Sequence, residues 1–266
     1  MAYAFHSQKE KYFQWQYENS RNFIVPMVKE FMEFGPETTV LEIGCAEAGV
    51  LKAFTDLGCQ CTGIELMQNR VDLAEKFMDA ELKAGKIRFI TRDIYDIDVE
   101  RDLDHKFDLV ILKDVIEHIH DQERFISRVG DYLKPGGKVF FGFPPWYMPF
   151  GGHQQMCDNK VLKKLPWFHL LPMPAYKGML KIFGESDQKI SGLAEIKETG
   201  ISIERFEKIV SNNGFKVVKH IPYLFNPIYR HKFKVEPRVQ FGLFSSIPFF
   251  RNFLTTAVYY LIGKKS

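Results

Sequence analysis

The fold class this sequence predicts is α/β: a doubly wound, mostly parallel sheet of seven strands with an aromatic cap inserted late in the chain. Three observations carry it. Short apolar runs alternate with helical patterns five times between residues 39 and 143, over short connections. Acids stand at or beside the ends of those runs, at Glu42, Glu65, Asp93 and Asp114, where sheets of this kind take their ligands. Past Phe143 the period dissolves into proline and aromatic residues and returns only near residue 202.

In chain order, 7–34 reads as helix, with Tyr12, Trp15, Phe23, Val28, Phe31 and Met32 for an inward face and Pro26 as its division. Residues 39–43 form a first strand whose unbroken apolar character suits burial on both faces. A helix at 50–57 stops at Gly58, and 60–64 is the second strand, ending at Glu65. Residues 67–84 are helical, with Gly85 as C-cap. The third strand, 87–91, leads to Asp93, and the fourth, 107–112, to Lys113 and Asp114. A helix at 121–133, a turn at 135–137 and a fifth strand at 138–143 complete the alternation. Ser202 caps a helix to residue 213, Gly214 ends it, and 215–221 and 255–262 supply the last strands. The domain reading is 1–36 as N-terminal helices or lid and 37–143 as ligand-binding core. Residues 144–200 are a cap insertion, and 201–266 complete the sheet around a second aromatic stretch at 225–254.

Composition narrows the function classes. Of 266 residues, 45% are apolar and 26% charged, the balance of an ordinary globular chain. Cys45, Cys59, Cys61 and Cys157 form no C-x-x-C pair, which argues against a disulfide framework or a structural zinc and for free thiols in a reducing cytoplasm. There is no signal-peptide pattern, and no apolar run nears the ~20 residues that cross a bilayer, so the expected location is cytoplasmic. A net charge of +3 argues against nucleic acid as partner. It hides an asymmetry: residues 201–266 carry +8 and residues 1–200 carry −5, so the aromatic tail is also the basic part. Peripheral contact with a membrane surface is therefore one expectation for it, and a solvated face is the other.

The stretch Thr39-Val40-Leu41-Glu42-Ile43-Gly44-Cys45-Ala46-Glu47-Ala48-Gly49 organises the chain. Gly44 and Gly49 permit a tight turn, and Ala46 is small enough for a ligand to approach the backbone. The helix that opens near Ala48 aims its free N–H groups into that turn. Gly44-x-Ala46-x-x-Gly49 is a degenerate dinucleotide fingerprint, so a nicotinamide-dependent oxidoreductase is one reading. Glu42 weighs against it, because a carboxylate there repels a pyrophosphate and suits a ligand that carries an amino group and a sulfonium.

Leu41-Glu42-Ile43-Gly44-Cys45-Ala46 resembles the first motif of class I S-adenosylmethionine (SAM) methyltransferases of the type 11/12 kind, Rossmann-like enzymes with quinone-pathway O-methyltransferases among their distant relatives. The resemblance covers 38–143, with Phe107 to Ile119 and Leu133-Lys134-Pro135-Gly136-Gly137 as its more specific parts, and returns at 202–264. It implies SAM as cofactor, held by Glu42, Gly44, Cys45, Ala46 and Gly49, by Glu65 and Leu66 at the ribose, by Asp93 and Ile94 at the adenine, and by Lys113 and Asp114. Ala46 departs from the family's glycine. Tyr3, Phe5, Tyr12 and Trp15 are placed to close over the cofactor or to pack in the core.

Asp114, Glu117 and His118 stand at i, i+3 and i+4, which on a helical turn shares one side. The segment is similar to the acid-x-x-Glu-His run of small-RNA 2′-O-methyltransferases, which implies a divalent metal held by Asp114, Glu117, His118 and His153. Those families usually begin the run with Glu. The other reading gives no metal and makes His118 and His153 the catalytic bases. Gly151-Gly152 before His153 suits a flexible lid that delivers it. The expected acceptor is a small, partly apolar molecule methylated on oxygen, such as a quinone precursor or a lipid-linked sugar, in a pocket lined by the aromatic cap. A methyltransferase-like binding module without turnover is the alternative.

Overall fold

The computed structural model describes residues 2–265, with side chains from Gln8 onward. Eight strands form one sheet: β1 (Thr39–Ile43), β2 (Gln60–Glu65), β3 (Ile87–Thr91), β4 (Phe107–Lys113), β5 (Leu133–Phe143), β6 (Phe215–Phe225), β7 (Arg238–Val239) and β8 (Ala257–Lys264), in the order β3-β2-β1-β4-β5-β8-β6-β7. The first five are parallel, and β8 lies antiparallel between β5 and β6. The strand beyond the expected seven is β7, a two-residue edge paired to the end of β6 inside the second aromatic stretch. Because the chain runs from β1 outward to β3 and returns to β4, the topology reverses between β1 and β4. A crevice opens at such a switch point, at the carboxyl ends of the strands.

Strand alternation decides which layer each side chain joins. Leu109 and Ile111 of β4 face a core built with Val40, Phe140, Tyr259 and Phe13, and with Val50, Leu51 and Phe54 of the helix Gly49–Thr55. Val110 and Leu112 face the opposite core, with Phe125, Ile126 and Val129 of Gln122–Val129 and Phe206 and Ile209 of Ile203–Asn212. Ser202 caps that last helix, its hydroxyl accepting from the Arg205 N–H.

Four local readings change. The helix Ala2–Asn19 runs through a widened π turn, Ser20–Ile24, into Val25–Lys29. The division therefore falls before Pro26, which opens the last piece where its missing N–H costs little. The helix expected over 67–84 is two, Gln68–Phe77 and Asp79–Lys83. The turn at Pro135 is absorbed into β5 as an irregularity against β4. The cap has a core of its own, where Met173–Ile182 and Asp187–Thr199 bury Tyr176, Leu180, Leu193 and Phe168.

The expectation that the cap's aromatic residues line a pocket fails for the second stretch. Phe241, Phe244, Phe249 and Phe250 are exposed, because only short helical turns between Pro237 and Pro248 are available to fold them inward.

The first helix docks on the cradle through Gly49. A Cβ added there would stand 2.5 Å from the Phe13 carbonyl oxygen and 2.8 Å from Gln16 Cβ. Gly49→Val is expected to cost about 1–3 kcal/mol in urea denaturation, the usual penalty of overpacking. An unchanged midpoint would show that the helix does not rest there.

Candidate active site

A cleft of about 690 Å³ occupies the switch point. Its floor is Glu42, Gly44, Cys45, Ala46, Glu47, Gly49 and Val50. Lys113, Asp114 and His118 form one wall, Arg70 another, and Gln8, Lys9, Tyr12, Phe13 and Gln16 of the first helix close the top. Gly44 lies at φ +73°, and a Cβ on it would sit 2.6 Å from Val115 Cγ2. Ala46 and Ala48 follow at φ +48° and +65°, a left-handed conformation that costs an alanine about 1–2 kcal/mol. The cradle is thus held open against local preference.

Glu65 closes the turn from the β2 side. Its carboxylate accepts from the Ala46 N–H at 2.9 Å and the Met67 N–H at 3.1 Å, with Arg70 at 3.8 Å. Glu65 itself stands behind the cradle rather than among the residues that line the cleft, and Leu66, next to it, is exposed and does not line it either. Neither do Asp93 and Ile94: the Asp93 carboxylate accepts from the Tyr95 N–H at 2.9 Å as the cap of a short turn, and Ile94 packs against the core.

Burial governs the charges. Glu42 is buried, and its Oε2 has no hydrogen-bond partner in the protein. Desolvation pushes its carboxyl well above the usual range, although Lys113 draws it back. Lys113 is itself buried and ion-paired with Asp114. Burial opposes its charge, the Asp114 carboxylate outweighs burial, and the ammonium titrates above its ordinary value.

Asp114 departs from the one-sided helical turn. It takes φ +57° and gives its carboxylate to Lys113, while the turn Ile116–His118 carries the other two groups. Ligating atoms of Glu117, His118 and His153 lie within 4.8 Å of one another, without Asp114. Both Glu117 oxygens are buried with no protein partner, and desolvation raises its carboxyl, with Asp114 adding to the rise. His118 reaches the cleft from its rim, and its ring centroid is 5.1 Å from that of His153. Loss of water around both rings lowers both: His118 below its ordinary value, and His153, further lowered by His118, to about 4. His153 itself does not line the cleft.

The cap fixes this group. Thr199 Oγ1, at the end of Asp187–Thr199, donates to the Glu117 carbonyl at 2.6 Å. The Gly151-Gly152 pair is not the free hinge its composition suggests. A Cβ on Gly151 would strike the Trp146 carbonyl, and one on Gly152 would strike the His169 ring. His169 is fully buried; it donates to the Trp146 carbonyl at 2.8 Å and accepts from Gln154 at 2.7 Å, so His153 is delivered by a packed loop.

Sequence reasoning missed Gln8, Lys9, Gln16, Glu47 and Arg70. Glu47, which from the sequence alone is structural or solvated, is buried, ion-paired with Lys9 and on the cleft floor. The signal was in the helix, where Gln8, Tyr12 and Gln16 recur every four residues and Lys9 lies on the same side. Tyr12 does close the cleft, Trp15 stacks on His231 at 6.0 Å instead, and the side chains of Tyr3 and Phe5 lie outside the described residues.

The sheet order, the switch-point cleft and the acids around it define a class I SAM-dependent methyltransferase fold. The family model for the methyltransferase domain matches residues 16–220, and the chain belongs to that family. It is 34% identical over 127 residues to phosphoethanolamine N-methyltransferase 2 of Caenorhabditis elegans, covering 44% of this chain and 28% of that protein. It is 28% identical over 102 residues to the ubiquinone biosynthesis O-methyltransferase of Coxiella burnetii, covering 38% and 42%. The matches thus span less than half the length of these relatives. A SAM-dependent methyltransferase from Clostridium acetobutylicum shares the fold, with a TM-score of 0.57, 14% identity and coverage of 94% and 92%. Among the described residues, no helix is long and apolar enough to cross a membrane.

An orphaned buried acid is a cost to the fold. Glu117→Met, which keeps the volume and removes both unpartnered oxygens, is expected to raise stability by about 1–3 kcal/mol in urea denaturation. A loss of stability would show that Glu117 is satisfied after all.

Proposed function

We propose that this chain binds SAM in the β1–β4 cleft and transfers its methyl group to an oxygen of a small, partly apolar acceptor. The observation that carries the reading is the buried Glu42 carboxylate, whose unpartnered Oε2 faces a glycine-bounded cradle. Such a floor suits an amino group and a sulfonium and repels the pyrophosphate of a dinucleotide. Gly44, Cys45, Ala46 and Gly49 would cradle the amino-acid part, with Glu42, Lys113 and Asp114 beneath it. Glu65, already oriented by two backbone N–H groups, would take the ribose hydroxyls at the cleft's edge, and a ligand would have to extend past the cleft for its adenine to meet Leu66, Asp93 and Ile94.

SAM supplies an electrophilic methyl carbon on a sulfonium. The residues do the rest by position and proton transfer. Gly44, Cys45, Ala46 and Gly49 would hold the methyl donor, Glu42 would balance its positive charge, and the neutral imidazole of His118 would take the proton of an acceptor hydroxyl placed beside it. His118 is the better placed of the two histidines, because its side chain lines the cleft and that of His153 does not. The relatives include both an N- and an O-methyltransferase, and the paired imidazoles beside the cleft favour oxygen, whose proton needs a base.

Glu65→Ala is expected to weaken SAM binding about 10–100-fold by calorimetry, the scale of one lost charge-assisted hydrogen bond. His118→Ala should leave that affinity intact and lower kcat about 10²–10⁴-fold on a responsive phenolic acceptor. NAD binding in place of SAM would overturn the assignment.

A divalent ion is the second reading, favoured by the orphaned Glu117 carboxylate. Glu117, His118 and His153 would hold it, and it would polarise the acceptor hydroxyl. Calorimetry with Mn²⁺ separates the two. Binding that Glu117→Gln abolishes supports the ion, and no binding leaves His118 as the proton acceptor.

A further inference from the structure

The segment that joins β6 to β8 leaves the sheet at the same end as the cleft. The last residues of β6 pair with the first of β8, and those pair with the carboxyl end of β5. Its first part builds the cleft's surroundings: His231 stacks on Trp15, and Lys232 Nζ stands 5.6 Å over the Tyr12 ring. Its second part turns outward. Val239, Phe241, Leu243, Ile247, Phe249 and Phe250 are all exposed, Leu243 by 74% and Phe249 by 64%. The apolar surface continues across Phe250 to Phe253 at 6.1 Å, to Tyr147 stacked at 5.6 Å, and to the exposed Trp167, whose indole donates to the Tyr147 carbonyl at 3.1 Å.

These rings are held out by construction. Phe249 takes φ +62°, a conformation that a bulky residue adopts only when its surroundings over-determine it. They do so here: the Phe249 N–H donates to Glu204 at 2.8 Å, Arg251 pairs with Glu204 and Glu207, and Asn252 donates to Glu204 at 2.7 Å. Asn252 is fully buried and accepts from the Ile203 N–H at 2.9 Å, which pins the base of the segment to the helix Ile203–Asn212. A rigid base under exposed rings is the reverse of a loop that failed to pack.

We infer that residues 238–250 dock this protein on an anionic lipid bilayer, with the rings in the acyl boundary and the cations at the headgroups. Charge chooses the occupant. Residues 237–250 contain no acid, and among the described residues Arg238 and Lys234 join no ion pair. Arg238 stands 4.6 Å over the Phe241 ring, a cation and a ring side by side as an interface requires. A second copy would bring the same cations face to face, whereas phosphate headgroups satisfy them. Docking there would set the cleft's surroundings beside the bilayer, which fits an apolar acceptor, but the surface stands independently of what the cleft binds.

The test is co-sedimentation of the full chain with phosphatidylcholine vesicles, with and without about one quarter phosphatidylglycerol. The inference predicts binding to the anionic vesicles, loosened by salt, and about tenfold weaker on the neutral ones. Phe249→Ser with Phe250→Ser should lower it at least about tenfold, and Arg238→Glu should weaken it as well, with thermal unfolding and SAM affinity unchanged in each. Absence of binding to anionic vesicles, or equal binding by the double variant, would overturn it. So would a wild-type dimer in sedimentation equilibrium that the double variant makes monomeric.

Discussion

The Lys113–Asp114 ion pair at the carboxyl end of β4, its lysine buried and its carboxylate open to the cleft, is the interaction on which the cleft depends. Around it stand Glu42, Glu117 and Tyr12, each with burial working against its charged form and each feeling Asp114. Lys113 is the buried cation among them. Without it, Glu42 would lose the cation that draws its carboxyl back and Asp114 would lose its ion-pair partner, leaving Lys232 to answer its charge. The pair also explains why Asp114 leaves the metal-like cluster: its carboxylate is already spoken for, and its left-handed backbone turns it toward Lys113.

Strain and unsatisfied groups collect at this end of the sheet. Ala46, Ala48, Asp114 and His153 all take positive φ, and Glu42 Oε2 and both Glu117 oxygens lack protein partners. The opposite ends of the strands are quiet by comparison: Asp108 accepts from Thr39 and Lys134 and is fully employed in joining β1 to β4. Strain and orphaned acids gathered beside the cleft keep that edge ready for ligands. The cap's buried His169 and Thr199 supply the rigidity that lets the edge stay strained.

Much of this was legible in the sequence, for physical reasons. The parallel strands announce themselves because both of their faces are buried, so Leu109 to Leu112 had to be apolar without a gap. The acids stood out because a charge at the end of such a run needs a reason. What a linear reading misses is set by packing. The i, i+3, i+4 spacing put Asp114 with Glu117 and His118, but one left-handed residue and a neighbouring lysine undid it. Gly151 and Gly152 read as a hinge because glycine permits motion; here it permits contact with Trp146 and His169. The phenylalanines of 241–250 read as pocket lining because apolar rings usually go inward, whereas the fold leaves them exposed, with the Phe249 backbone fixed by Glu204 and Asn252.

The most direct test is a crystal structure with S-adenosylhomocysteine. The account predicts the ribose hydroxyls on the Glu65 carboxylate, the amino group over Glu42 and the sulfur turned toward His118. A ligand seated elsewhere, or a cleft that accepts a nicotinamide dinucleotide with its pyrophosphate beside Glu42, would contradict it.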